Sequence, residues 1–135
     1  MVSDPLRVSD TNYKERTSMK TYAGRKLGRP SASRAMLLRN LATSLLKHER
    51  IVTTVPRAKE VSRYAEKIIT AAKGDMAVNA QRIAAEHVTA KDVQKKLFDV
   101  LVPRYSARSG GYTQIIRAGN RTGDAAPMAL VRLVP

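Results

Sequence analysis

The chain contains no cysteine. That absence excludes a disulfide scaffold, a thiolate zinc site and a cysteine nucleophile together, and it fits a reducing compartment. Long apolar runs are missing as well. The hydrophobic stretches are only a few residues long, against the roughly 20 that a membrane span needs, so no membrane is expected as a partner. The first residues lack the apolar segment of a secretory signal, and the acids among them argue against a transit peptide. No glycine-rich phosphate loop of the two common types is present, and no pair of acids falls in a plausible pocket. The two histidines, His48 and His87, sit in separate predicted helices without metal-ligand spacing. His48 reads as a helix-end cap or phosphate contact and His87 as half-buried packing. No catalysis, metal, cofactor or small-molecule substrate is therefore expected.

Acids are the other scarcity. Eleven Asp and Glu stand against twenty-five Lys and Arg, a formal net charge of +14 over 135 residues. Such a chain gathers polyanions: nucleic acid, an anionic membrane or an acidic partner. Its charge is unevenly spread. Residues 1–18 hold three bases and three acids, residues 20–63 eleven bases and two acids, residues 75–99 four of each, and residues 104–121 four arginines and no acid. A surface charged only for solubility would mix its signs more evenly.

The length favours one domain. Residues 1–18 read as a neutral, flexible extension. Residues 19–30 carry two glycines, one proline and four bases, which predicts an extended basic arm that orders on RNA. Residues 31–135 then form a single globular domain. Its first helix is expected to start at a Ser31 or Ser33 cap and to bury Leu38, Leu41, Ala42 and Leu45, with Arg39, Thr43, Lys47 and Arg50 on another face. Residues 50–55 are β-branched and predict a strand, and Pro56 suits the start of a second helix running to about Lys73. Lys59, Arg63 and Lys67 line one side of that helix. Gly74 stops it. Asp75 would cap a third helix to about His87, and Thr89 with Asp92 resembles a capping box for a fourth, which Pro103 ends. After a basic loop closed by Gly110-Gly111, two β-type runs at 112–118 and 128–134 predict an antiparallel hairpin that the first strand could complete into a three-stranded sheet.

Arginine suits RNA because its planar guanidinium forks onto phosphate and stacks on bases. Arg25, Lys26 and Arg29 on a glycine-flanked arm can enter a groove closed to a bulky helix, and Arg104, Tyr105 and Arg108 combine charge with an aromatic face. Tyr105 has two readings, a stack on an unpaired base or a lid over the fourth helix. The cationic arm and the arginine-bearing loop are expected to converge in space around phosphate. No zipper, zinc finger or RNP-type aromatic motif appears. A nucleoid DNA-binding protein and an RNA-processing enzyme are the competing classes.

Several stretches carry a specific resemblance: Gly-Arg-Lys-Leu-Gly-Arg-Pro-Ser at 24–31, Leu-Leu-Arg-Asn-Leu-Ala-Thr-Ser-Leu-Leu-Lys-His-Glu-Arg-Ile-Val-Thr-Thr at 37–54, Arg-Ala-Lys-Glu-Val at 57–61, Lys-Lys-Leu-Phe-Asp at 95–99, Pro-Arg-Tyr at 103–105, Gly-Gly-Tyr-Thr at 110–113 and Gly-Asp-Ala-Ala-Pro-Met-Ala at 123–129. In order and spacing, residues 19–135 resemble the bacterial large-subunit ribosomal protein family numbered seventeen. The resemblance implies an α+β fold of two layers, with about four helices on one face of a small three-stranded mixed sheet. It implies a cytoplasmic, ribosomal location, large-subunit ribosomal RNA as partner, and other large-subunit proteins near the polypeptide exit as neighbours. Together with the residue reading it gives an RNA-binding set of Lys20, Arg25, Lys26, Arg29, Arg34, Arg39, Lys47, Arg50, Arg104, Tyr105, Arg108, Arg117 and Arg121. Residues 1–18 have no counterpart in it.

Overall fold

A computed structural model describes residues 24–135. The expectations for the neutral extension, for the outer part of the arm and for Lys20 lie outside the described residues. The elements run α1 (Ser31–His48), β1 (Arg50–Thr54), α2 (Val55–Ala72), α3 (Ala77–His87), α4 (Lys91–Lys96), a π-helical turn (Leu97–Leu101), one further helical turn (Val102–Arg104), β2 (Thr113–Asn120) and β3 (Pro127–Leu133).

Helix α1 buries Leu38, Ala42, Leu45 and Leu46, the stripe that its 3.6-residue period lays on one side. Full burial of Leu45 and Leu46 contributes about 1.5–3 kcal/mol apiece. Helix α2 is the hub. Ala58, Val61, Ala65, Ile68, Ile69 and Ala72 are buried along it, and the small alanines let it approach the sheet, α1 and α3 closely. Helices α1 and α2 lie against the sheet, whereas α3 and α4 pack chiefly on those two helices.

The sheet order is β1-β3-β2, with β3 antiparallel to both neighbours. The sheet is therefore antiparallel throughout, where a mixed one was implied. β1 and β2 do run the same way, but β3 stands between them and is the strand with which both pair. Thr53, Ala129, Val131 and Leu133 face the helices and are buried.

Three expected helix caps are absent. Pro30, Met76 and Ala90 occupy the N-cap positions of α1, α3 and α4, and no side chain caps any of the three. At α1 the hydroxyl of Ser33 instead accepts from the Arg29 guanidinium at 3.2 Å. Pro103 does not end the fourth helix either. The preceding turn widens, the Val102 N–H reaching back to the Leu97 carbonyl, and the helical path continues to Arg104. An α-helical turn would drive the proline ring into the carbonyl four residues earlier, and a wider turn relieves that clash.

Candidate nucleic-acid interface

The described part of the arm is not extended. Leu27 and Gly28 both take positive φ, 57° and 64°, and the Arg29 N–H bonds to the Lys26 carbonyl at 3.2 Å. Two consecutive left-handed residues inside such a bond make a tight reverse turn of the primed kind. Glycine adopts that conformation freely, whereas Leu27 is strained in it. The turn folds the arm back over the start of α1. It also brings Arg25 to 4.0 Å from the Glu60 carboxylate, which is buried on α2 and lies 4.0 Å from Arg63 as well. Glu60 thereby joins the arm to the basic stripe of α2, on which Lys59, Arg63 and Lys67 are all exposed. An open groove of about 540 Å³ lies beside that stripe, lined by Arg63, Glu66, Lys67, Thr70 and Ala71. Glu66 is turned away from the cations: its carboxylate accepts from the N–H and the hydroxyl of Thr113 at the start of β2.

A second carboxylate organises the other end of α1. Glu49 stops the helix in the left-handed conformation, φ 61°, with its N–H on the Leu45 carbonyl, and β1 begins at the next residue. Its carboxylate holds Lys96 at 2.8 Å and Arg104 at 2.9 Å. Hydrogen bonds from Arg104 and then Lys96 pull the Glu49 pKa down to about 2, and the same bond raises the Arg104 pKa. Lys96 also donates to the Lys47 carbonyl.

A carboxylate whose pKa is lowered by folding contributes stability above its unfolded value. That contribution is lost as pH falls through the folded value. For Glu49 the window runs from about 4.5 down to about 2. Glu49→Gln is expected to lower the melting temperature at pH 7 and to flatten its fall with pH between those limits. Thermal melts of both proteins across that range check this, and parallel curves would dismiss the role.

The two groups do not converge. Arg29 lies at the first turn of α1 through Ser33, and Arg104 just past its last residue through Glu49. The intervening helix holds them roughly 25 Å apart at 1.5 Å per residue. A rigid helix thus separates the arm from the loop that was expected to meet it.

The remaining candidates are distributed as follows. Lys26 is exposed on the arm, Arg34 is half-buried in the first turn of α1, and Lys47 is exposed at its end. Arg39 is half-buried, and its Nε is buried without a hydrogen-bond partner. It lies against Tyr64, whose pKa burial raises and Arg39 partly offsets. Tyr64 in turn bonds His87 Nδ1 at 2.8 Å, which makes that histidine a packing residue as its sequence position suggests.

Tyr105 is 1% exposed, donates to the Val134 carbonyl and lies 5.1 Å from the Tyr112 ring. Of its two readings the structure chooses packing, and no base can reach that ring. Arg108 is exposed, in a loop pinned by Lys73, whose ammonium donates to the Arg108 carbonyl and to the Tyr112 hydroxyl. Arg117 is exposed on β2. Arg121 makes a two-pronged bond to Asp124, at 3.0 and 2.7 Å, inside the hairpin turn. That bond raises the Arg121 pKa and pushes the Asp124 carboxyl well below the usual range. Arg50 opens β1 directly opposite Arg132.

Sequence reasoning missed Glu49, Glu60, Lys96 and Lys73. The acids inside basic runs were the available signal, since an isolated acid among cations is more often an organiser than a diluent. Among the described residues no group of three or more His, Asp or Glu could hold a metal ion, and no helix is long and apolar enough to cross a membrane.

Comparison with known proteins agrees with the sequence motifs. The family described as ribosomal protein L17 matches residues 37–134. The large ribosomal subunit protein bL17 of Endomicrobium trichonymphae is 50% identical over 116 residues, covering 86% of this chain and 98% of that protein. Its namesake in Desulfitobacterium hafniense (strain DSM 10664 / DCB-2) is 56% identical over 113 residues, covering 83% and 99%. That of Caldanaerobacter subterraneus is 53% identical over 111 residues, covering 82% and 97%.

Proposed function

Because the chain belongs to the ribosomal protein L17 family, we propose that it braces folded large-subunit ribosomal RNA at two separated points. Membership makes it a structural protein of the large ribosomal subunit and not an enzyme. The finer reading concerns how it holds RNA. The arm and the α2 stripe, around Glu60, form one contact. Lys47, Lys96 and Arg104, around Glu49, form the other.

The observation that carries this reading is the pair of acid-organised cation groups at opposite ends of one stiff helix. An acid inside each group fixes the cations beside it before RNA arrives, so less side-chain freedom is lost on binding. Helix α1 sets the spacing, and a fixed spacing recognises shape, as double-helical RNA requires. Arg108 and Arg117 add exposed charge on the loop and hairpin. Arg121, neutralised by Asp124, is assigned to the turn instead, and Arg39 to the helix interface.

Binding of the purified protein to large-subunit RNA at several salt concentrations tests this. About six to ten phosphate contacts give a slope of log K against log salt of roughly −5 to −9. A slope shallower than about −2, or equal affinity for duplex DNA at one salt concentration, would reject it.

A further inference from the structure

Among the described residues none covers the face of the sheet turned away from the helices. Register places Val52, Leu130 and Ile116 in one row across β1, β3 and β2, with Met128 beside them opposite Thr54. Val52 is 61% and Ile116 38% exposed. The neighbouring row is Arg50, Arg132 and Gln114, in which two arginines stand directly opposite each other. Like charges in that position repel. The one side-chain partner in the row is neutral, Arg132 donating to Gln114 at 2.9 Å. No residue of the three strands is acidic.

We infer that this face docks a neighbouring protein of the large subunit, through an apolar segment that carries a carboxylate at one end. The inference rests on the ribosomal reading above and adds a second surface to it. The chemistry selects the occupant. A row of aliphatic side chains offers phosphate nothing, and the face carries no aromatic ring on which a base could stack, as RNA-binding sheets use. The same sheet face of a second copy would bring further arginines to the Arg50–Arg132 pair and no acid. An apolar segment covers Val52, Leu130 and Ile116, while its carboxylate relieves the paired arginines.

The absence of cysteine makes the test direct, because Val52→Cys introduces the sole thiol of the chain. The full-length variant is incorporated into large subunits, and its presence in the sedimenting large-subunit peak is scored first. Absence from that peak, if shared by wild type, is a failure of the ribosomal reading and is thereby told apart from a failure of this one. Maleimide modification of residue 52 is then expected to be at least about tenfold slower in the subunit than in the free protein. A benzophenone attached there should give a crosslink that survives ribonuclease and maps to an apolar peptide of another ribosomal protein with an Asp or Glu near its end. Arg132→Glu should lower the yield of that crosslink several-fold while leaving the salt slope of RNA binding unchanged. Equal modification rates in the two states overturn the inference. So does a crosslink destroyed by ribonuclease, one to a second copy of the chain, or one to a peptide without an acid. Ile116→Cys supplies the same readouts if Val52→Cys disturbs folding or assembly.

Discussion

Replacing Arg25, Lys26 and Arg29 together with alanine is expected to weaken binding to large-subunit RNA by about two orders of magnitude, and to block entry into the subunit. Each lost phosphate contact should make the salt slope shallower by about one, so the triple variant should lose about two to three. The fold should survive. None of the three side chains enters the hydrophobic core. The losses that touch stability include the 4.0 Å approach of Arg25 to Glu60, which keeps Arg63 at the same distance, and the exposed hydrogen bond from Arg29 to Ser33. A pair held at 4.0 Å by a half-exposed arginine contributes about 1 kcal/mol, so the melting temperature should fall by no more than about 5 °C. Filter binding, thermal melts and sedimentation of the tagged variant measure all three quantities. A variant that assembles as wild type does would remove the arm from the interface. One that melts far lower would show the turn at Leu27-Gly28 to be part of the core.

Tyr105→Ala should do the reverse. Its ring is buried against Tyr112, so truncation leaves a cavity costing about 3–5 kcal/mol, and the melting temperature should fall by about 15 °C. Tyr105→Phe keeps the ring and strands only the Val134 carbonyl, a loss of about 1 kcal/mol. Neither variant, measured at a temperature where it is folded, should change the salt slope of RNA binding. A Tyr105→Ala protein that melts like wild type but loses RNA would return the ring to the RNA surface.

The arm and Tyr105 also show what could be read in advance. The apolar stripe of α1, with Leu46 buried and Leu41 only half-buried, the strand after α1 and the closing hairpin all follow local periodicity, and the structure has them close to where the pattern puts them. What failed depends on partners distant in sequence. Ser31, Asp75 and Thr89 have the chemistry of helix caps, but chain entry at Pro30, Met76 and Ala90 decided the geometry instead. Pro103 carries the usual stop signal, and a wider preceding turn cancels it. Tyr105 sits between two arginines, a context that suits an RNA contact, yet its hydroxyl finds Val134 at the far end of the chain.

The candidate interface was legible as charge and illegible as arrangement. Which cations are held, and by which acid, is set by the packing of α1 on α2 and by the end of α1. Neither leaves a mark in the linear spacing of Arg25, Glu60 and Arg63, or of Glu49, Lys96 and Arg104. For the same reason the expected meeting of arm and loop was wrong: the distance between them is the length of a helix that lies between them in space as well as in sequence.

The middle position of β3 has a consequence for how the molecule comes into being. Arg50 pairs with Arg132 and Thr113 with Leu133, so β1 and β2 meet only through the segment that follows both. Helices α1 to α4 can assemble from short-range contacts while β1 remains an open edge, waiting for a distant partner. Closure of such remote pairs slows folding, and an unpaired apolar edge invites association with other chains. Neither β1 nor β2 can enter the sheet before β3 is available, so the whole ladder closes on the segment that follows both.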